Sequence, residues 1–105
     1  MPAPNRYDIG DVTRISTVTQ SDLGVDTDPN ELTLTVQVDA DDTPSVYRWP
    51  TPGVGESALT KDSTGHFHAD YMNAGAGVVK YRWVATGAVA SAEQSYYFVR
   101  PSVIV

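Results

Sequence analysis

The residues best suited to chemistry in this 105-residue chain lie in the run His66-Phe67-His68-Ala69-Asp70, which contains both of its histidines. Alternate side chains of a β-strand share one face, so a strand here predicts His66, His68 and Asp70 together on an exposed face. Two imidazoles and a carboxylate suit zinc or another transition metal. The pattern offers no fourth ligand, and a polar outer sheet face explains it equally. We predict no metal site, and name these three residues as the candidates if a metal does bind.

A second group of possible ligands is acidic. Asp39, Asp41 and Asp42 follow a predicted strand, and Asp26 and Asp28 lie in the loop before it. Carboxylate oxygens suit calcium, but an EF-hand loop needs ligands at alternating positions, a central glycine and a closing glutamate. The spacing of these five aspartates does not match that arrangement. Aspartates that form turns are the alternative, and we adopt it.

Catalysis has little support in the sequence. The chain has no cysteine, which removes thiol nucleophiles, thiolate metal sites and disulfides. It contains neither a Gly-x-Ser-x-Gly motif nor a glycine-rich phosphate loop. Only two histidines are available as general bases, and both lie on one predicted strand. We therefore predict a non-enzymatic protein without a cofactor.

Exposed aromatic residues are the remaining candidates for a binding site. In a strand one residue of each neighbouring pair faces outward, so Tyr47, Tyr96 or Tyr97 can form a platform on which a sugar stacks. Exposed tyrosines also anchor protein–protein interfaces, and that use is more frequent. Both interpretations stay open at this point.

Charge and hydropathy restrict the partners. The net charge is −6, with nine acids against two bases up to Asp42 and four acids against five bases from Thr43 onward. An acidic half repels phosphate, so direct nucleic-acid binding is not expected. Neither a signal-peptide pattern nor an apolar run of membrane-spanning length is present. We expect a soluble protein made in the cytoplasm that binds no membrane.

Strands must position all of these residues. Glu31 to Asp39 alternates most clearly, with Leu32, Leu34, Val36 and Val38 on one face, which predicts a half-buried strand. Further strands are predicted at 11–19, 45–49, 57–61, 66–72, 78–85 and 93–100. About seven short strands at intervals of roughly ten residues, without helical periodicity, are typical of two packed sheets. We predict an immunoglobulin-like antiparallel β-sandwich, with a small barrel as second choice. Its predicted core adds Trp49, Phe67, Tyr71, Tyr81 and Trp83.

The two ends of the chain differ from this domain. We predict a flexible N-terminal arm over residues 1–6, the sandwich over 7–101 and an apolar C-terminal tail over 102–105. The tail either prolongs the last strand or adds to the sheet edge of a neighbouring chain. We expect at least one end to contact another subunit, because a protein that works alone usually places charge near exposed sheet edges.

Four blocks of the sequence resemble a known group of proteins. They are Tyr7-Asp8-Ile9-Gly10-Asp11-Val12, the run from Lys61 to Asp70, Tyr81-Arg82-Trp83, and Phe98-Val99-Arg100-Pro101-Ser102. Together they resemble small structural proteins of long-tailed bacteriophages that infect actinobacteria. The resemblance implies an immunoglobulin-like virion component, and it transfers no catalytic residue. The segments 22–29 and 50–55 match that pattern least, so we expect this protein's own contacts there.

The resemblance implies partners within the virion. A capsid decoration or head accessory protein that binds the major capsid protein is the first hypothesis. A head–tail connector or tail component is the alternative within this class, and either is compatible with homo-oligomers in the particle. A carbohydrate-binding module for host adsorption is the alternative from another class. The interface candidates are Pro2, Pro4, Asp22, Asp26, Asp28, Tyr47, Val103, Ile104 and Val105.

Overall fold

The fold is all-β. The structure, a computed structural model, describes residues 6–8 as backbone, and residues 10–38 and 43–100 in full. This part of the chain contains no helix and nine strand segments: β1 (Arg6–Asp8), β2 (Val12–Val18), β3 (Glu31–Val38), β4 (Ser45–Trp49), β5 (Ser57–Ala58), β6 (Thr60–Ser63), β7 (His66–Met72), β8 (Gly77–Thr86) and β9 (Ser91–Arg100). The prediction of an all-β chain is confirmed.

The strands form two sheets. The larger has the order β1-β9-β8-β3-β4-β5, and the smaller has the order β2-β7-β6. Neighbours pair antiparallel except β1 with β9 and β4 with β5, which are parallel. Each of the seven predicted strands coincides with an observed one, but the segment 57–61 is divided between the two sheets. The division occurs at Leu59, whose buried side chain lies in the core where the chain crosses from β5 to β6.

One hydrophobic core joins the two sheets. Leu32, Leu34 and Val36 on β3 are almost fully buried, as predicted, and Val38 is half-buried. The smaller sheet contributes Phe67, whose ring centroid lies 5.0 Å from that of Trp49. Trp83 is also buried, and the predicted core residues Tyr71 and Tyr81 are half-buried against the same cluster. Burial of these apolar surfaces provides the main driving force for folding.

A buried amide links the sheets through hydrogen bonds. The Asn73 side chain, at the end of β7, donates to the Asp11 carbonyl at 2.9 Å and to Thr13 Oγ1 at 2.8 Å. Its carbonyl oxygen accepts a 2.7 Å hydrogen bond from the Tyr97 hydroxyl on β9. Because every polar atom of this buried amide is paired, the network stabilises the contact between sheets.

The predictions for the two ends of the chain and for the Asp39–Asp42 turn concern residues that the structure describes only in part. The backbone of Arg6 already belongs to β1, so strand pairing begins one residue before the predicted domain boundary. The rest of the predicted arm, the tail and the Asp39–Asp42 turn lie outside the described residues. The interface candidates among them are Pro2, Pro4, Val103, Ile104 and Val105. In the described part, no helix is long and apolar enough to cross a membrane.

Candidate functional site

The three metal candidates on β7 do not form one site. His66 Nε2 lies 2.9 Å from an Asp26 oxygen, and His68 Nδ1 lies 2.7 Å from an Asp62 oxygen. The prediction that all three residues are exposed is wrong for His68, which is only 8% exposed. The described residues contain no group of three His, Asp or Glu side chains able to hold a metal ion. These rings serve as links between neighbouring segments.

Asp70 also has an intramolecular partner. It accepts hydrogen bonds from Arg14 Nε at 2.9 Å and from Arg14 Nη2 at 3.2 Å, across the β2–β7 pair. This guanidinium holds the pKa of the Asp70 carboxyl below its usual range. His68 Nε2 lies 3.9 Å from the same carboxylate. Ser16 is the cross-strand neighbour of His68, but the ring's side-chain contacts are with Asp62 and Asp70, and no hydrogen bond joins it to the Ser16 hydroxyl. An activated nucleophile needs that hydrogen bond to its base.

Two of the acidic interface candidates are engaged within the chain. Asp28 accepts hydrogen bonds from Lys61 Nζ at 2.5 Å and from the Gly65 amide at 2.8 Å, and both lower the pKa of its carboxyl. Gln20 and then His66 lower the pKa of Asp26 in the same way. Their role as interface residues stays a prediction, and both side chains already have a partner within the chain. Asp22 remains exposed and forms no ion pair with a described residue.

The segment from 20 to 26 folds into a small hairpin beyond β2. Gln20 and Asp26 form an antiparallel bridge, and the Ser21 amide donates to the Val25 carbonyl at 2.9 Å. Gly24 turns the chain with a φ of +77°, a conformation that favours glycine. The tip presents Leu23, which is 90% exposed, and Val25 is also exposed. We call this segment the 20–26 hairpin.

A second loop is held by a charge network. Glu56 accepts hydrogen bonds from Arg48 Nε at 2.7 Å, from Arg48 Nη2 at 3.0 Å and from the Gly53 amide at 2.6 Å. Arg48 and then the Gly53 amide lower the pKa of Glu56 to about 2. Arg48 also pairs with Glu31 at the start of β3. These contacts fix the loop 50–56, and Val54 at its tip is fully exposed.

These loops lie at the same end of the molecule. Leu32, near the start of β3, pairs with Trp49 at the end of β4 and with Ala85 near the end of β8. The loops before β3, after β4 and after β8 are therefore neighbours. Asn30 ties two of them together, because its side-chain oxygen accepts a 3.1 Å hydrogen bond from the Ala88 amide. We define the loop end by its exposed apolar side chains, Leu23, Val25 and Val54.

No protein-family model, curated protein or solved structure matches this chain.

The outer side of the larger sheet carries a second exposed group. Tyr96 is 54% exposed and packs edge-to-face on exposed Phe98, with ring centroids 5.7 Å apart and ring planes at 87°. Lys80 lies opposite Tyr96 in the β8–β9 register, and Arg82 lies opposite Gln94. We call Lys80, Arg82, Tyr96 and Phe98 the basic face. A shallow depression of about 290 Å³ beside them is lined by Thr35, Gln37, Lys80, Tyr81, Arg82 and Gln94.

The three tyrosines predicted as a possible sugar-binding platform differ in their exposure. Tyr97 is 3% exposed and donates to Asn73, so it belongs to the core. Tyr47 is half-buried and packs against the core cluster, and its role as an interface residue stays a prediction. Of the three tyrosines considered, Tyr96 is the most exposed.

An open cleft also lies beside the smaller sheet. Its volume is about 470 Å³, and its lining is mostly polar: Ser16, Thr17, Val18, Asp62, Ser63, His66, Phe67 and Glu93. Phe67 is almost fully buried, so it offers no ring face for stacking. His66 and Asp62 are already paired with other side chains. The cleft therefore offers hydroxyl groups and the Glu93 carboxylate to a ligand, but neither an exposed aromatic ring face nor a histidine without a partner.

Of the residues that define the two surfaces, the sequence pointed to Tyr96 and missed the others. The predicted contact residues are mainly acids and tyrosines, whereas the exposed side chains include Leu23, Val54 and Phe98. One sequence pattern could have predicted an exposed apolar residue. Leu23 stands between Asp22 and Gly24, two residue types typical of turns. No sequence pattern predicts which Lys and Arg side chains form ion pairs, because these pairs depend on contacts between residues far apart in the chain.

Proposed function

We propose that this chain is a non-enzymatic structural protein of a bacteriophage virion, a capsid decoration or head accessory protein that binds the major capsid protein through its loop end. The observation that carries the proposal is the presence of exposed apolar side chains on two hydrogen-bonded loops at one end. Loops already held in one conformation lose little entropy when they bind. Exposed apolar groups rimmed by polar ones are typical of protein contact surfaces.

The strand order supports the immunoglobulin-like part of the proposal. A variable-type immunoglobulin domain has strands B, E and D in one sheet and G, F, C, C′ and C″ in the other. The order β2-β7-β6 corresponds to the first set, and β9-β8-β3-β4-β5 corresponds to the second. In this correspondence the loops 19–30, 50–56 and 87–90 occupy the places of the antigen-binding loops. A binding role for the loop end agrees with that correspondence.

The bacteriophage part of the proposal relies on the sequence resemblance. Its matching blocks fall mainly on strands, including β6 and β7 for the run from Lys61 to Asp70 and β8 for Tyr81-Arg82-Trp83. The segments that match least, 22–29 and 50–55, contain Leu23, Val25 and Val54. A shared scaffold with divergent loops is what we expect when each protein binds its own partner.

Particle binding tests this proposal. Purified protein is added to virions assembled without it, and the bound copies are counted by quantitative mass spectrometry. We expect the wild type to bind and the double variant Val25→Asp/Val54→Asp to bind at least about tenfold less, because its charges are desolvated at the contact. Met72→Asp, which alters an exposed apolar residue far from the loop end, is the control and should bind like the wild type.

The same experiment separates the alternatives. Binding of the loop-end variant at wild-type level would remove the loop end as the contact, and failure of the wild type to bind any particle would remove the virion assignment. A decoration protein covers the whole capsid, whereas a connector forms a single ring at the head–tail junction. The copy number therefore distinguishes these two roles.

Carbohydrate binding remains the second candidate, favoured by Tyr96 beside the polar depression with Gln37 and Gln94. The perpendicular rings of Tyr96 and Phe98 allow only one of them to lie flat on a sugar. Titration with purified host cell-wall glycan tests this function. Saturable binding that is lost in Tyr96→Ala would support the carbohydrate role, and absence of binding by the wild type would exclude that glycan as its ligand.

A further inference from the structure

The basic side chains of the described residues differ in whether a carboxylate pairs with them. Arg14, Arg48 and Lys61 each form an ion pair with a carboxylate. Lys80 and Arg82 form none with the described residues, although the chain carries a net charge of −6. Both lie on the outer side of β8, because their neighbours Val79, Tyr81 and Trp83 face the core. Within the described residues, two cations thus lie side by side on one face without a carboxylate partner.

The side chains of the basic face indicate which chemical group can bind there. The depression between Lys80 and Arg82 is shallow and otherwise lined by hydroxyl and amide side chains. Tyr96 and Phe98 offer exposed ring surface directly beside Lys80. A carboxylate with an adjacent apolar side chain satisfies both parts, since the charge pairs with the cations while the apolar group covers an aromatic ring.

The chain itself carries such a group on another surface. At the tip of the 20–26 hairpin, exposed Asp22 stands next to Leu23, the most exposed leucine of the described residues. The Ser21–Val25 and Ser21–Gly24 hydrogen bonds hold this tip in a defined conformation. The hairpin continues from β2 of the smaller sheet, whereas the basic face is the outer side of the larger one. The two surfaces therefore cannot meet within one molecule.

We propose that the chain associates head to tail, with Asp22 and Leu23 of one copy docked on the basic face of the next. Because the two contact surfaces differ, the contact is heterologous and repeats into a ring or an open filament. This inference goes beyond the proposed function and does not depend on it. The loop end and the docked hairpin tip share Leu23, so the particle contact is tested at Val25 and Val54, which the head-to-tail contact does not use.

The test is the mass of the isolated protein by sedimentation velocity over a range of concentrations. The face variant is Lys80→Glu/Arg82→Glu, and the hairpin variant is Asp22→Lys/Leu23→Ser. We expect the wild type to exceed the monomer mass as concentration rises, and each variant alone to stay monomeric. Raising the salt from about 0.05 to 1 M should weaken wild-type association roughly tenfold, because the contact is partly electrostatic.

Mixing the two variants identifies the geometry. The face variant keeps an intact hairpin and the hairpin variant keeps an intact basic face, so the mixture should form a one-to-one dimer and stop there. Glu93→Lys repeats the charge change of Asp22→Lys at another exposed site and should associate like the wild type. Lys80→Arg/Arg82→Lys should also retain association. Circular dichroism melting curves establish that each variant is folded.

Several results would overturn the proposal. One is a wild type that stays monomeric at every concentration, and another is a folded variant that associates like the wild type. A mixture of the two variants that forms no dimer would exclude a head-to-tail contact. If the wild type stays monomeric and instead binds a uronic-acid oligosaccharide through Lys80 and Arg82, the basic face is a site for acidic glycans and the self-association proposal is wrong.

Discussion

The two faces of the larger sheet are built from the same strands but have different composition. On the inner face, Val36 and Trp83 are buried against the smaller sheet, and Tyr97 completes a hydrogen-bond network with Asn73. On the outer face, one residue away along the same strands, Arg82 and Tyr96 are exposed to solvent. The inner face buries its apolar side chains within the chain, and among its buried side-chain polar atoms only Trp83 Nε1 has no hydrogen-bond partner in the described residues. The outer face presents charged and aromatic side chains that the described residues leave exposed. The comparison separates residues that maintain the fold from residues available for contacts.

The largest expected effect comes from placing a charge on the inner face. Val36→Asp puts a carboxylate without a partner into the core and should reduce the free energy of unfolding by on the order of 4 kcal/mol or more, enough to unfold a marginal domain. Thr35→Asp is the matched control, because Thr35 faces outward opposite Arg82, and it should cost about 1 kcal/mol or less. Urea denaturation of both variants measures the difference. A soluble Val36→Asp protein with unchanged stability would reverse the assignment of the faces.

A smaller effect is expected from a single hydroxyl group. Tyr97→Phe leaves the buried Asn73 oxygen without its donor and should cost about 1–3 kcal/mol. Tyr96→Phe removes the same hydroxyl from an exposed neighbour and should change stability by less than about 0.5 kcal/mol. Thermal melting of the pair provides the comparison. Equal melting temperatures for the two variants would show that the buried network contributes nothing to stability.

Acid should weaken the loop end through Glu56. Its pKa is about 2 in the folded chain, below the ordinary value of about 4.3 in an unfolded chain. The Arg48 contact therefore contributes stability above the ordinary pKa and loses it as the pH falls toward 2. We expect wild-type stability to decline between about pH 5 and 2, and Glu56→Gln to show a shallower decline over the same range. Identical pH profiles for the two proteins would mean that Glu56 adds nothing to acid sensitivity.

The smallest expected effect concerns the outward face of β7. His66 and His68 already pair with Asp26 and Asp62, so removing metal ions should leave the melting temperature unchanged. The measurement compares melting curves with and without EDTA. A decrease of several degrees that zinc restores would show that His66, His68 and Asp70 bind a metal after all.

The strands were predictable because burial has a simple period along the chain. The alternation from Glu31 to Asp39 defined β3 and its buried face, and the inner face of β8 followed from the same rule. The division at Leu59 was not predictable, because it depends on which sheet each half joins. His68 shows the same limit. Alternation predicts which face of β7 its side chain lies on, but not that Asp62 on the neighbouring strand β6 is its partner. The exposure of Leu23 depends on a hairpin that local composition only suggests.

The most direct test of the virion proposal is cross-linking from the loop end inside an assembled particle. A photoreactive amino acid replaces Val54 in one variant and Met72 in another, each variant is incorporated into virions, and mass spectrometry identifies the cross-linked partner. Both positions are exposed in the isolated chain, so they differ in location rather than in access. We expect cross-links to the major capsid protein from position 54 and none from position 72. Cross-links from position 72 alone, or from neither position, would contradict it.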